Sequence, residues 1–275
     1  MKVGLIQADG KIPNLALMKL AMWHRQKGDD VEVVDLSTYG FDRLYGSKIF
    51  MGGSGFDIQA TLPSEIEAQI PDYEKFKLDY SIGFSSRGCI RDCGFCIVRL
   101  KEGNYRDCEL NWIKHTKVLF LDNNFTASPE FKEKILYFVK NKLKVCFNQG
   151  LDIRLITPEK AELLSKIKYY DLKFKTRRLY FAFDDLAYEQ QVIKGISCLK
   201  TAGINPKHLM FYILVGYNTT FEQDFYRFNL IKEQGCLPFI MLFGSPDKKL
   251  KDFARWINAR YYNFIEWENY KPRKD

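Results

Sequence analysis

Three cysteines stand close together on one short stretch of the chain. Cys89, Cys93 and Cys96 have the spacing C-x3-C-x2-C and directly follow an apolar segment. Three thiolates on one loop can hold three irons of a [4Fe–4S] cube and leave the fourth iron without a protein ligand. An open iron is a place where a small molecule can coordinate. The spacing therefore predicts a metal-binding loop with room for a bound small molecule.

Two other chemistries use cysteines in this way. A structural zinc ion usually takes four ligands, commonly from two CxxC-like pairs, and the sequence has no second pair. Disulfides are the other alternative, but the cysteine count of seven is odd, and the remaining four lie singly and far apart. The spacing therefore favours an iron–sulfur cluster.

With Phe95 just before the last cysteine, the motif resembles that of the radical S-adenosylmethionine (radical SAM) superfamily. The resemblance implies that the open iron chelates the amino and carboxylate groups of SAM, and that reduction of the cluster cleaves SAM to a 5′-deoxyadenosyl radical. It implies an enzyme that abstracts hydrogen from a substrate, which the sequence leaves unidentified. It also implies a reductant as partner, such as a flavodoxin or ferredoxin.

Short apolar runs and helical patterns alternate with a period of about thirty residues from residue 81 onward. This pattern is typical of parallel strands that are covered by helices. Predicted strands cover 81–86, 118–122, 145–149, 179–183, 209–214 and 239–243, and predicted helices cover 130–141, 158–168, 188–202, 221–234 and 250–259. Right-handed crossovers would curl these strands into a partial barrel. The radical SAM resemblance implies the same fold, a TIM-barrel-like partial (β/α)6 barrel over 81–246.

The first part of the chain predicts a small Rossmann-like α/β domain over 1–61. A strand at 2–7, a helix at 15–25, a strand at 31–36 and a strand with a glycine turn at 48–55 follow one another. Residues 62–80 are interpreted as a linker and 247–275 as a helix with an aromatic tail covering the barrel. The small domain resembles the cobalamin-binding domain of a radical SAM subclass. Cobalamin is not expected, because the family's Asp-x-His-x-x-Gly loop is missing and His24 lies inside a helical pattern.

Polar residues follow the second and third barrel strands. By similarity, Asn123 and Asn124 stand where radical SAM barrels meet the SAM amino group, although an Asn-rich turn before a helix explains them equally well. After the third strand, Arg154 is suited to the SAM carboxylate, and Gln149 or Asp152 to its ribose hydroxyls. The alternative is a simple ion pair between Asp152 and Arg154.

Two later strand ends complete the predicted cofactor-binding residues. Asp184 ends the fourth strand beside a second carboxylate, and only one of two adjacent side chains can face the barrel mouth. Gly216 ends the fifth strand, which looks like the family's adenine-binding strand and turn. Turn chemistry alone is the alternative for this glycine.

The net charge of +8 is unevenly distributed. Residues 1–80 hold nine Lys and Arg against twelve Asp and Glu, a net charge of −3, so the rest carries +11. Basic and aromatic residues interleave over 166–178, which suits nucleic acid but also a solvated rim. A small-molecule enzyme, a tRNA- or DNA-modifying radical SAM enzyme and a non-catalytic iron–sulfur or zinc protein all remain open. The sequence predicts no membrane span and no secretory signal, and hence a cytoplasmic protein.

Overall fold

The computed structural model describes residues 1–35, 37, 39–48 and 62–272. The chain forms two compact units. The first comprises Met1–Gly83 and Glu109–Val118, and the second comprises Phe84–Cys108 and Leu119–Asp275. Within the described ranges, no helix has the length and apolar character needed to cross a membrane.

The first unit opens with the predicted strand, helix and strand. Strand β1 (Lys2–Gln7) precedes helix α1 (Leu15–Gln26) and strand β2 (Asp30–Val33). β1 pairs in parallel with β2 on one side and with β3 (Arg43–Ser47) on the other. The helix begins at Asn14, whose side-chain oxygen accepts the first free backbone N–H groups.

The third strand of this sheet lies earlier in the chain than the sequence predicts. The predicted strand covers 48–51, but β3 ends at Ser47. It was missed because its apolar content is low, and its Leu44 is 48% exposed at the edge of the sheet. Residues 49–51 and the predicted glycine turn at 52–55 lie outside the described residues.

Residues 62–80, predicted to be a linker, belong to the first unit. They contain helix α2 (Ser64–Glu67), and strand β4 (Ser81–Gly83) follows them. Ile66 of α2 is buried in the same apolar cluster as Leu5 of β1. The stretch is thus packed against the small sheet.

His24, which lies on helix α1, is fully buried. Its Nδ1 lies 2.6 Å from Asp29 Oδ2 and its Nε2 lies 3.1 Å from Tyr45 Oη. Both ring nitrogens are therefore occupied by protein partners, and neither is left open for a metal ion.

The second unit is built mainly from parallel strands and helices. Its strands are β5 (Ser86–Arg87), β6 (Arg106–Asp107), β7 (Lys117–Phe120, which begins in the first unit), β8 (Lys144–Phe147), β9 (Lys168–Tyr169), β10 (Leu179–Ala182), β11 (Leu209–Val215) and β12 (Leu237–Leu242). Its helices are α3 (Val98–Glu102), α4 (Phe131–Lys140), α5 (Pro158–Lys166), α6 (Glu189–Thr201), α7 (Phe221–Glu233) and α8 (Lys248–Asn258).

The parallel strands of this unit lie in two sheets. β8 pairs with β9, and β11 pairs with β10 and β12, all in parallel. A single parallel bridge between Leu151 and Phe181 connects the two sheets. The short antiparallel pair β5–β6 is the exception, and the sequence did not predict it.

Burial along β11 alternates from residue to residue. Leu209, Phe211, Ile213 and Val215 are all 0% exposed, whereas the residues between them are half-buried. One face of the strand is thus covered, with α7 packed against it, while the other face is more open. The α/β class with parallel sheets is confirmed, and the predicted barrel strands and helices lie within a few residues of the observed ones.

Helix α6 is pressed against the segment that follows β8. A Cβ added to Gly195 would lie 2.7 Å from the backbone oxygen of Ile153, closer than real contacts allow. Ile153 belongs to a short 3-10 helix (Ile153–Leu155) that also contains Arg154. The absence of a side chain at Gly195 therefore allows this close approach between α6 and the 3-10 helix.

Gly195→Ala should lower the free energy of unfolding by about 1–3 kcal/mol, because the added methyl group overpacks a contact with main chain. Ser197 is exposed on the same helix. Ser197→Ala should therefore change the free energy of unfolding by less than about 0.5 kcal/mol. Urea unfolding of both variants and the wild type is the measurement. A midpoint for Gly195→Ala at or above that of the wild type would contradict the close packing.

Candidate cysteine-lined site

The three cysteines of the motif line one cavity in the second unit. The cavity has a volume of ≈ 200 Å³, and its lining comprises Cys89, Arg91, Cys93, Cys96, Val98, Arg99, Asn123 and Gln149. All three thiols are half-buried. Asn123 and Gln149 come from the ends of β7 and β8, so the loop and two strand ends meet at one place.

The main chain before the cysteines is held by buried hydrogen bonds. Asp122 is 3% exposed, and its carboxylate accepts from Ser85 N at 2.9 Å, Ser85 Oγ at 2.6 Å and Ser86 Oγ at 2.7 Å. The buried Lys134 ammonium donates to Ser85 O at 2.8 Å and also pairs with Asp107. Burial raises the pKa of Asp122, and the serine donors oppose that rise.

Gly88 begins the cysteine loop in a conformation that other residues avoid. Its φ is +71°, and an added Cβ would lie 2.2 Å from Asn104 O. Glu102 accepts a hydrogen bond from Gly88 N at 3.0 Å and another from the Asn123 side chain at 3.0 Å. Arg99 donates to Cys89 O at 3.0 Å. Helix α3 thus ties the loop to the end of β7.

The thiol of Cys89 already has donors around it. Arg91 N lies 3.3 Å and Asn124 Nδ2 3.7 Å from its sulfur. Burial raises the pKa of Cys93, while the Arg154 cation lowers it and the thiols of Cys96 and Cys89 raise it further. The three sulfurs therefore act on one another electrostatically, and a bound cation would favour their thiolate forms.

Within the described ranges, no group of three or more His, Cys, Asp or Glu side chains converges on the position of a single metal ion. A zinc site requires such convergence, because every ligand atom must lie about 2.0–2.3 Å from one ion. An iron–sulfur cube instead takes one thiolate at each of several different corners. The three thiols line one cavity, whichever of these two kinds of centre they would hold.

Asp152 connects the cysteine loop to the segment after β8. Its carboxylate accepts a hydrogen bond from Arg91 Nε at 3.0 Å. It also accepts hydrogen bonds from Arg154 Nε at 2.6 Å and from Arg154 Nη2 at 3.0 Å. Burial by itself raises the pKa of Asp152, but Arg154 and then Arg91 hold it below the ordinary value. Asp152 and Arg154 thus pair at two points, as one of the two sequence interpretations expects. The pairing occupies two of the three guanidinium nitrogens of Arg154, which are then not available to a ligand.

The other predicted cofactor-binding residues lie at or near this place. Asn124 is 3% exposed and touches both the Cys89 sulfur and, at 3.4 Å, Asp152. Asp184 accepts a hydrogen bond from Leu214 N at 3.1 Å, and burial raises its pKa while the nearby Arg154 lowers it. Neither residue lines the cavity itself.

Tyr217 brings Phe95 and Gly216 together. The rings of Phe95 and Tyr217 meet edge to face with centroids 5.4 Å apart, and Gly216, with φ +82°, directly precedes Tyr217. A Cβ added to Gly94 would lie 2.6 Å from the Tyr217 hydroxyl. The turn after β11 therefore contacts the cysteine loop.

Sequence reasoning missed several residues that shape the site. Glu102, Arg99 and Tyr217 were not among the predicted residues, and Arg91 was not given a role. Glu102 and Arg99 lie on a five-residue helix that has no recognisable pattern. The only usable signal was Tyr217, an aromatic residue directly after a glycine at a strand end.

A scan of the chain against protein-family models gives no match, and a search of the curated proteins gives no significant match. The assignment of a function therefore rests on the residues of the site and on their geometry.

Asp152→Asn should lower the free energy of unfolding by about 1–3 kcal/mol near neutral pH, because two guanidinium groups lose their carboxylate partner. The folded-state pKa of Asp152 is held below the ordinary value of 3.8. Its stabilisation is therefore fully present above the unfolded-state pKa of about 4 and is lost as the pH falls through the folded-state pKa.

Denaturant unfolding of wild type and variant between pH 3 and pH 7 checks this expectation. The difference in the free energy of unfolding should be constant at the upper end and shrink only in acid. The exposed Asp92 provides the matched change, and Asp92→Asn should leave stability unaltered. A difference that persists unchanged at the lowest pH would mean that the Asp152 charge does not stabilise the fold.

Proposed function

We propose that the chain is a radical SAM enzyme that holds a [4Fe–4S] cluster with Cys89, Cys93 and Cys96. When loaded and reduced, such a cluster supplies the electron that cleaves SAM to a 5′-deoxyadenosyl radical, which abstracts hydrogen from a substrate. The observation that carries the proposal is that the three thiols share one cavity with side chains from the next two strand ends. The identity of the substrate is not part of the proposal.

The other cysteines support a cluster with only three protein ligands. Cys146 and Cys236 are buried in the core, and Cys108 and Cys198, although half-buried, do not line the cavity. Cys108 lies in the electrostatic field of Asp122, which together with burial raises its pKa. One iron of the cube would thus remain open for SAM.

Polar groups of the site would hold SAM once the cluster is in place. Asn123 and Gln149 line the cavity beside the thiols and can donate to or accept from its polar atoms. Arg154 can approach a carboxylate with the nitrogen that Asp152 does not use. Gly216 lies where a base could approach main chain.

The fold proposed for this unit is the partial (β/α)6 barrel. Parallel pairing on both sides of β11 and the bridge between Leu151 and Phe181 support a continuous curved sheet. The more open face of β11 carries Tyr212 and Leu214. Their paired neighbours in β12 are Phe239 and Met241. Such an apolar surface would exclude water from the radical and hold the substrate C–H bond near it.

A non-catalytic iron–sulfur protein would share the cluster but not the cleavage of SAM. A zinc protein would hold a single metal ion and no iron. Formation of 5′-deoxyadenosine by the reduced protein therefore separates the enzyme from both alternatives.

Anaerobically reconstituted wild type should bind about four irons per chain and release 5′-deoxyadenosine from SAM after reduction. Cys93→Ala should lose both, since it removes one of only three ligands. Cys198 is half-buried as Cys93 is, so Cys198→Ala provides the matched control and should retain both. Iron and sulfide analysis and chromatographic detection of 5′-deoxyadenosine are the measurements, and a full iron content in Cys93→Ala would refute the assignment.

Arg154→Lys should weaken SAM binding by about ten- to a hundredfold while the cluster stays assembled. A lysine keeps the charge, but it cannot pair with Asp152 at two points and also present a nitrogen to the SAM carboxylate, a bond worth about 1.5–3 kcal/mol. Calorimetric titration of SAM into the oxidised, cluster-loaded protein is the measurement. Arg106→Lys, at an exposed position, is the control, and an unchanged affinity in Arg154→Lys would show that Arg154 serves only the pair with Asp152.

A further inference from the structure

The N-terminal ends of the parallel strands in the second unit carry an accumulation of cations. β8 begins at Lys144 and β9 at Lys168, and these two residues are direct neighbours in the parallel register. Arg177 precedes β10, and Lys207 precedes β11. We call the following side chains the basic edge: Lys144, Lys168, Lys173, Lys175, Arg177 and Lys207.

Two tyrosines join the basic edge into one surface. The Arg177 guanidinium lies over the Tyr169 ring at 3.8 Å and near the Tyr170 ring at 5.6 Å, and the Lys144 ammonium lies 5.7 Å from the same Tyr170 ring. Arg178 donates to the backbone oxygen of Lys207 at 2.8 Å. The loop before β10 and the loop before β11 therefore lie side by side.

None of the six cations of the basic edge forms an ion pair with any described residue, whereas the nearby Lys166 is paired with Glu162 at 2.7 Å. Asp171 is the only carboxylate in the stretch 168–178. Its oxygen accepts from Lys175 N at 2.9 Å and Thr176 N at 3.3 Å, so it is used to close the turn. Like charges on neighbouring strands destabilise a sheet unless something compensates them.

Three further observations concern the cations at this edge. Arg177 Nε is buried and has no hydrogen-bond partner among the described residues. Burial lowers the pKa of Arg178, and the cation of Arg260 adds to this effect, while Tyr180 and Asp171 oppose it. Burial likewise lowers the pKa of His208, with Arg177 and Arg178 adding to the effect.

We propose that the basic edge binds the phosphate backbone of a nucleic acid. Phosphates would supply the counter-charges that the chain itself does not provide, and the half-buried Tyr170 lies beside the cations as a surface for a base. An anionic membrane is disfavoured, because none of the exposed large hydrophobic side chains in the described part of the chain belongs to this surface.

The basic edge is an anchoring surface and lies away from the cysteine-lined cavity. β8 begins at Lys144 of the basic edge and leads, beyond its end, to Gln149 of the cavity. The longest strand, β11, has seven residues, which at about 3.3 Å per residue separates the two ends by about 23 Å. The nucleic-acid proposal therefore stands independently of the radical chemistry.

The test is fluorescence anisotropy of a labelled single-stranded RNA of twenty nucleotides, titrated with the full chain. Four phosphate contacts predict a slope of about −3 in a plot of log affinity against log salt, a loss on the order of fiftyfold between 50 and 200 mM salt. Lys173 and Lys175 are exposed, so the double variant Lys173→Glu/Lys175→Glu should still fold. Its affinity should fall at least about tenfold and its salt slope should become shallower.

The matched control is Lys194→Glu/Lys251→Glu, which makes the same change in net charge at two exposed lysines outside the basic edge. It should bind RNA almost as well as wild type. An equal loss in both double variants would overturn the proposal, because only total charge would then matter. No binding by the wild type at 50 mM salt, or binding to phosphatidylserine vesicles in place of RNA, would overturn it as well.

Discussion

The second unit depends on one buried carboxylate and the hydrogen bonds that it accepts. Taking a charged carboxylate out of water costs several kcal/mol unless donors replace the lost water. Asp122 has three such donors within 2.9 Å, all from Ser85 and Ser86. Because these serines stand immediately before the cysteine loop, the requirement that stabilises the buried charge also determines where the three thiols begin.

A second carboxylate acts on the other side of the loop. Asp152 pairs with Arg91 of the loop and with Arg154 after β8, so two cations stay close to the thiols without repelling each other strongly. Cationic neighbours favour the thiolate form of cysteine. Asp122 thus binds the main chain before the cysteine loop, whereas Asp152 keeps two arginine side chains near the thiols.

The parallel arrangement of the strands also explains why the basic residues and the cavity residues of this unit lie at opposite ends of the strands. All N-terminal strand ends lie at one edge and all C-terminal ends at the other, so residues far apart in sequence meet at either edge. Arg177 and Lys207 meet in this way at the N-terminal edge, and Asn123 and Gln149 meet at the C-terminal edge. One topology therefore produces both the cavity and the basic edge.

The sequence by itself determined the elements and the cysteine motif. Short apolar runs and helical periodicity are local properties, so the strands and helices that were predicted beyond residue 117 lie within a few residues of observed ones. The two-residue strand β9 was not predicted, and its first residue was assigned to a helix. The spacing of Cys89, Cys93 and Cys96 is local as well. Strand β3 escaped prediction because an edge strand with exposed side chains needs no apolar pattern.

Only the tertiary structure decided which side chains meet. Arg154 pairs with Asp152, and the 3-10 helix that contains Arg154 packs against Gly195; no sequence spacing reports either contact. Glu102 reaches the cysteine loop from a five-residue helix without a recognisable pattern, and Tyr217 reaches it from the turn after β11. Hydrogen bonds, ion pairs and ring contacts between distant segments form only after the chain has folded, so they are a property of the fold and cannot be read from any one segment.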